Sequence, residues 1–213
     1  MSEEILVNVT PMETRVAVVE NGATQDIHIE RSASRGIVSN IYAGRISRVL
    51  PGMQAAFVDI GVSRNAFLHV SDVIGGADTS ERITDHLREG QAVTVQVTKD
   101  PLGSKGARVT AQLSVASRYL VYMPQTQHVG VSQRIDDGEE RGRLQEVLAK
   151  ALEAEEMDEA GGFILRTAAE STGPTKIALN LRFLKRLWAA VSRRAAVTRD
   201  PQLLYEDLPL HLR

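Results

Sequence analysis

Hydrophobic and polar positions alternate with period two through most of the first half of this chain, and switch to helical spacing in the second. A period of two marks a strand with one face buried; a period near 3.6 marks a helix with one apolar stripe. Ile5–Val9, Arg15–Glu20 and Gln25–Glu30 read as three strands, with a hairpin turn at Asn21-Gly22. So thin a sheet needs a covering layer. The small, polar stretch Arg31–Gly36 marks a junction. Beyond it Asn40–Leu50, Ala55–Ile60, Asn65–Val70, Ala92–Lys99 and Ala107–Leu113 are predicted strands, with a loop at Gly75–Ser80 and a short helix at Glu81–Arg88. Short strands in this order fit a Greek-key barrel of the OB type. Tyr119–Met123, His128–Gln133 and Phe163–Leu165 are further strands, and Glu139–Glu153 and Lys176–Val197 are long helices. Leu144, Val147, Leu148, Ala151 and Leu152 form the apolar stripe of the first helix; Ile177, Leu181, Leu184, Trp188, Val191 and Ala195 form that of the second. Pro201 stops the second helix, and Leu203–Arg213 reads as the start of a further, unpaired segment.

The stretch Ala55–Val70 departs from the simple pattern. Ala56, Val58 and Ile60 take one face of the first strand, and Ala66, Leu68 and Val70 the apolar face of the second. Phe57 and Phe67 therefore fall on the other side, with Asp59, Asn65 and His69. A loop at Gly61-Val62-Ser63 sets the two rings opposite one another. Outward aromatics are either covered by another element or offered as a platform for nucleic-acid bases, where each stacked base contributes roughly 1–3 kcal/mol without a sequence code. In an OB barrel the strands in question, the second and third, are the ones that bind oligonucleotides. The loop Asp100–Gly106 carries Lys105 at its tip, where a phosphate would meet it.

Composition narrows the options. With no cysteine in its 213 residues, the chain has no disulfide, thiolate zinc site or cysteine nucleophile. A formal net charge of −2 means that any nucleic-acid contact comes from local patches. No apolar run approaches a membrane span and the N-terminus lacks a signal pattern, so no membrane partner and a cytoplasmic location are the expectation. The five histidines show no ligand spacing, and P-loop, G-x-G-x-x-G and G-x-S-x-G motifs are missing. The many carboxylates of 136–160 include no spaced pair built for Mg²⁺. Arg182, Lys185, Arg186, Arg193 and Arg194 decorate the second helix and read first as a solvated face. Arg166-Thr167, directly after an apolar strand, places a guanidinium fork and a hydroxyl where both can donate to a phosphate. The plainer alternative is a structural ion pair with Thr167 capping a helix.

The segments GIVSNIYAGRISRVLPGMQAAFVDIGVSRNAFLHVSD, VTKDPLGSKGARVT, SRYLVYMP and GGFILRTAAE resemble the N-terminal part of the ribonuclease E/G family. The resemblance implies an α+β chain: residues 1–35 as opening strands of a partial RNase H-like subdomain, and 36–112 as an inserted S-one-type OB-fold barrel. Residues 113–200 would be an α/β subdomain that senses a 5′-monophosphate, and 201–213 the start of the returning RNase H-like segment. It implies RNA contact at Phe57, Phe67 and Lys105, and a terminal phosphate held by Arg166, Thr167 and the backbone N–H of Val121. The implied partner is single-stranded RNA with a 5′-monophosphate, the implied setting RNA processing and mRNA decay. The family's catalytic aspartates with Mg²⁺ and its zinc-binding cysteine pair, the latter at a subunit contact of a homo-oligomer, find no counterpart here. The chain thus reads as the recognition half of an endoribonuclease, with no cofactor of its own and no cleavage expected from it alone. The rival readings are a free-standing RNA-binding regulator and an assembly protein whose phenylalanines a partner covers.

Overall fold

The computed structural model describes residues 2–75, 82–155 and 161–212. Residues 76–80 of the predicted Gly75–Ser80 loop, the first residue of the predicted helix at Glu81 and the carboxylates of 156–160 lie outside the described residues. The first strands are β1 (Glu3–Val9), β2 (Glu13–Glu20) and β3 (Ala23–Arg31), an antiparallel sheet in that order with Asn21 and Gly22 both at positive φ in the β2–β3 turn. Asparagine and glycine are the residues that tolerate that conformation.

The next unit closes on itself. Strands β4 (Ile41–Leu50), β5 (Ala55–Asp59), β6 (Ala66–His69), β7 (Ala92–Lys99) and β8 (Arg108–Thr110) pair in the order β4-β5-β6-β8-β7, and β7 returns to β4. The β6–β8 pairing is parallel and the others antiparallel. This is the strand order of a five-stranded OB-like barrel. Its core is made by the inward alternates Ile46, Ala56, Val58, Ile60, Ala66, Leu68, Val95, Val97 and Val109. Ile83 and Leu87, from and just after the short helix α1 (Ile83–His86), join that core. At Gly106 the loop before β8 runs against the Asn65 carbonyl so closely that a Cβ would overlap it, which draws the loop tip toward the β5–β6 hairpin.

The third unit is a sheet backed by helices. Strands β9 (Val115–Ala116), β10 (Leu120–Met123), β11 (Val129–Val131) and β12 (Gly162–Leu165) lie in the order β11-β12-β10-β9. Helix α2 (Gly138–Ala154) opens with Asp137 accepting from the N–H groups of Glu139 and Glu140, and α3 (Pro174–Val197) with Pro174 in its first turn. Leu120, Tyr122, Phe163 and Leu165 meet Leu144, Leu148, Ile177, Leu181, Leu184 and Val191 in one core. The apolar stripes read from the sequence are the faces that pack.

Two readings are corrected. Residues 107–113 are not one strand: β8 ends at Thr110, whose hydroxyl accepts the Gln112 N–H at 3.1 Å while Asp72 O takes the Ala111 N–H at 2.8 Å. The side-chain bond replaces the ladder, the chain turns, and Val115–Ala116 joins the other sheet. Nor is the segment after Pro201 unpaired. Gln202–Tyr205 forms β13, antiparallel to β4 on the outside of the barrel's first strand, with Leu204 buried in the helical core.

Candidate functional site

On the barrel, Phe57 and Phe67 are direct cross-strand partners, although the connection is longer than the expected Gly61-Val62-Ser63 loop and runs through residues 60–65 between β5 and β6. Their neighbours Ala56, Val58, Ala66 and Leu68 are buried at 0–1% exposure, whereas both rings are only partly covered and sit on the outer face. The centroids are 6.2 Å apart with the planes at 70°, an edge-to-face pair. The register extends the row in both directions: Arg48 on β4 stands opposite Phe57, Arg108 on β8 opposite Phe67, and Lys99 on β7 opposite Arg108. Two aromatic faces are thus bracketed across the sheet by exposed cations. Arg108 is held by Asp72, Nη2 to Oδ2 at 2.9 Å, and keeps further donors for a second acceptor.

Sequence reasoning missed Arg48 and Lys99 as members of this row. A register shift between Ile46 and Arg48 places Arg48 beside Phe57, and a second between Val97 and Lys99 places Lys99 beside Arg108. A bulge of this kind changes which face a residue takes and leaves no signal in the alternation alone. His69 shares the outer face; its Nδ1 pairs with Ser71 Oγ at 2.9 Å.

Lys105 is exposed in a tight turn closed by reciprocal Leu102 and Lys105 backbone bonds at 3.2 and 3.0 Å. Arg64 of the β5–β6 turn donates to Gly103 O, which ties that turn to the loop of Lys105. Asn65 Nδ2 donates to Ser47 Oγ at 2.9 Å, and Ser47 Oγ donates to Phe57 O at 3.1 Å. The lysine therefore rises from a loop anchored at the end of the strand that carries Phe67.

The second cluster lies on the other sheet. Val121 pairs with Ile164 on one side and Ala116 on the other. Leu120 and Tyr122 alternate into the core, so Val121 and Ile164 face away from it and remain partly exposed. Arg166 follows β12; its N–H donates to Tyr119 O at 2.9 Å, and its Nη1 donates to Ser117 O at 2.7 Å. The side chain is exposed and makes no ion pair among the described residues, leaving the rest of the fork open. Thr167 starts a single 3-10 turn, Thr167–Ala169, without a side-chain cap at its N-terminus. Neither the structural ion pair nor the threonine cap is present among the described residues. Val121, Arg166 and Thr167 occupy adjoining positions at one end of the β10–β12 ladder.

A carboxylate behind this cluster fixes its support. Glu140 receives Arg143 Nε and Nη2, both at 2.6 Å, and the Ser171 N–H at 2.8 Å. These bonds, led by the Arg143 guanidinium, lower its pKa to about 2. Arg143 Nη1 also donates to Thr172 O at 3.2 Å. The pair pins residues 171–172, the link from Arg166-Thr167 to α3. Among the described residues no group of three His, Asp or Glu is arranged to hold a metal, and no helix is long and apolar enough to cross a membrane.

Known proteins carry similar sequences. The ribonuclease E/G family model matches residues 114–213. Ribonuclease G of Escherichia coli (strain K12) is 52% identical over 220 residues, covering 99% of this chain and 44% of the relative. Ribonuclease G of Haemophilus influenzae is 52% identical over 201 residues, covering 90% of this chain and 40% of the relative. Ribonuclease E of Escherichia coli (strain K12) is 34% identical over 213 residues, covering 96% of this chain and 20% of the relative. The chain spans less than half the length of these relatives.

Proposed function

The chain belongs to the ribonuclease E/G family, and from that premise we propose that it is the RNA-recognition portion of a 5′-end-dependent endoribonuclease acting in RNA processing and decay. It corresponds to the N-terminal part of ribonuclease G. In this reading a single strand lays two bases on Phe57 and Phe67 while Arg48, Arg108 and Lys105 neutralise its phosphates. A 5′-terminal monophosphate docks on the free donors of Arg166, the Thr167 hydroxyl and the Val121 amide. Cleavage, with the Mg²⁺ and Zn²⁺ that the resemblance implies, and homo-oligomer assembly belong to the part of the relatives' length that this chain does not span. Holding both the terminus and the following bases positions a distant bond for hydrolysis in the whole enzyme.

The observation that carries the reading is the cross-strand row of two outward phenylalanines between arginines, on the second and third strands of a closed barrel. No interior packing need explains it, because the inward alternates already fill the core. The test uses labelled oligonucleotides bearing a 5′-phosphate or a 5′-hydroxyl. A hydrogen bond to a charged group contributes about 1.5–3 kcal/mol, so the phosphorylated RNA binds about 10- to 100-fold tighter, and Arg166→Ala removes most of that preference. Equal affinity for the two ends, unchanged by Arg166→Ala, removes the terminal-phosphate site and leaves the barrel face to be judged on its own.

A further inference from the structure

We infer that the outer face of α3 is a second RNA-binding strip, on the far side of the helix layer from the Arg166 cluster; the inference rests on the RNA-binding reading above. The helix has six Lys or Arg in its 24 residues and no Asp or Glu. The whole chain carries a formal charge of −2, whereas this element by itself carries +6. Ile177, Leu181, Leu184 and Val191 are buried against the sheet. At 100° per residue Arg186 and Arg193 fall directly opposite that stripe, with Arg182 beside them. Phe183 lies on the adjoining flank, 44% exposed although it is a large aromatic.

The cations divide by what they already do. Arg182 Nε meets Glu155 Oε1 at 2.5 Å and Lys185 Nζ donates to Glu155 O at 2.7 Å, which fastens the end of α2 to α3. Arg186 and Arg193 have no hydrogen bond or ion pair among the described residues. Two unneutralised guanidinium groups, spaced two turns apart beside an exposed ring, fit a flexible polyanion with stackable bases. A protein partner fits the face less well. A docking patch has an apolar centre depleted of charge, and here arginines occupy the centre while Leu179 and Val197 lie far apart. A membrane surface needs a continuous apolar stripe, and that stripe is spent on the core.

The position of the helix relative to the two candidate sites is fixed by backbone and side-chain bonds at its flank and its end. Asn180 Oδ1 accepts the Tyr119 N–H at 3.4 Å, and Tyr119 O accepts the Arg166 N–H at 2.9 Å, so the first half of α3 lies behind the Arg166 cluster. Beyond the other end, Arg199 O accepts Arg45 Nη2 at 3.0 Å, and Arg45 is opposite Asp59 on the strand of Phe57. A 24-residue helix is about 36 Å long, long enough to guide several nucleotides.

The experiment measures binding of 20-nucleotide RNAs, 5′-phosphorylated and 5′-hydroxylated, against salt concentration. Each phosphate contact on a single strand contributes about 0.7 to the slope of log affinity against log salt, so Arg186→Gln/Arg193→Gln lowers the slope by about 1.4. It weakens both RNAs by the same factor, about tenfold at low salt. Arg186→Lys/Arg193→Lys keeps the slope. Phe183→Ala weakens both RNAs with the slope unchanged. Arg186 and Arg193 are exposed, so the melting temperature of their variants stays at the wild-type value. Unchanged affinity and slope in the double glutamine variant, with wild-type binding intact, overturns the strip alone. Failure of the wild-type chain to bind either RNA overturns the reading under Proposed function and the strip with it.

Discussion

Phe57 and Phe67 touch each other at 6.2 Å as well as facing solvent, and that contact decides how their removal reads out. Each stacked base is worth roughly 1–3 kcal/mol, so Phe57→Ala or Phe67→Ala weakens binding of single-stranded RNA about 5- to 150-fold while leaving the core alternates in place. The edge-to-face pair is itself worth about 0.5–1.5 kcal/mol, so deleting one ring also loosens the other, and the double variant loses less than the summed single effects. Titration of the four forms in a double-mutant cycle checks this; strictly additive losses would show that the rings act as separate stacking sites. Arg48→Ala, by contrast, weakens binding chiefly through the salt slope. The outward placement of these rings was legible, because period-two parity with the buried alternates leaves the rings no other side. The guanidinium of Arg48 was not, because a bulge shifts parity without any local residue signature.

The α2–α3 connection carries the next prediction. The Glu140 carboxylate has a folded pKa of about 2 against an ordinary value of 4.5. A carboxylate lowered in the folded state contributes stability that is fully present above its unfolded pKa and is lost as pH falls from about 4.5 towards 2. Glu140→Gln therefore lowers the melting temperature at pH 7 by a few degrees, and the gap between variant and wild type narrows on acidification. Thermal melts at neutral and acidic pH measure this; a gap that persists at low pH would mean the residue acts through packing. Because Glu140 also holds the Ser171 N–H, the variant blunts the preference for a 5′-phosphate more than it blunts stacking on the barrel. Elements with a local signature were readable: α2 and α3 by their apolar stripes, the β2–β3 hairpin by Asn21-Gly22, the barrel strands by alternation. Elements defined by distant partners were not. β9 is two residues long, and β13 exists only because β4, about 160 residues earlier, has an open edge beside it. Such pairing is set by topology, and a short window of sequence contains none of it.

At the scale of the whole molecule the distribution of apolar surface is uneven. The barrel and the α2–α3 core seal their aliphatic side chains, while the three-stranded sheet leaves Ile5, Val7 and Val9 of one face 64%, 52% and 55% exposed. The opposite face leaves Leu6, Ile27 and Ile29 at 55%, 63% and 50%. The Leu210–Leu212 turn lies against β2 and β3, with the Leu210 N–H donating to Glu30 Oε1 at 3.2 Å, and covers little of the sheet. A sheet with two apolar faces and two free edges, β1 and β3, is a template for association. The 213-residue chain by itself is therefore expected to bind a hydrophobic dye and to self-associate with rising concentration. Val7 and Ile27 lie on opposite faces, since Val7 pairs with Val16 and Ile27 with Ala17, the next position along β2. Val7→Lys/Ile27→Lys then returns the chain to a monomer without lowering RNA affinity, because Phe57, Phe67 and Arg166 belong to other sheets. Analytical ultracentrifugation across micromolar concentrations decides it. A wild-type chain that stays monomeric and dye-silent would mean that these aliphatic faces are shielded in solution; loss of RNA binding in the lysine variant would instead tie the sheet to the recognition surface.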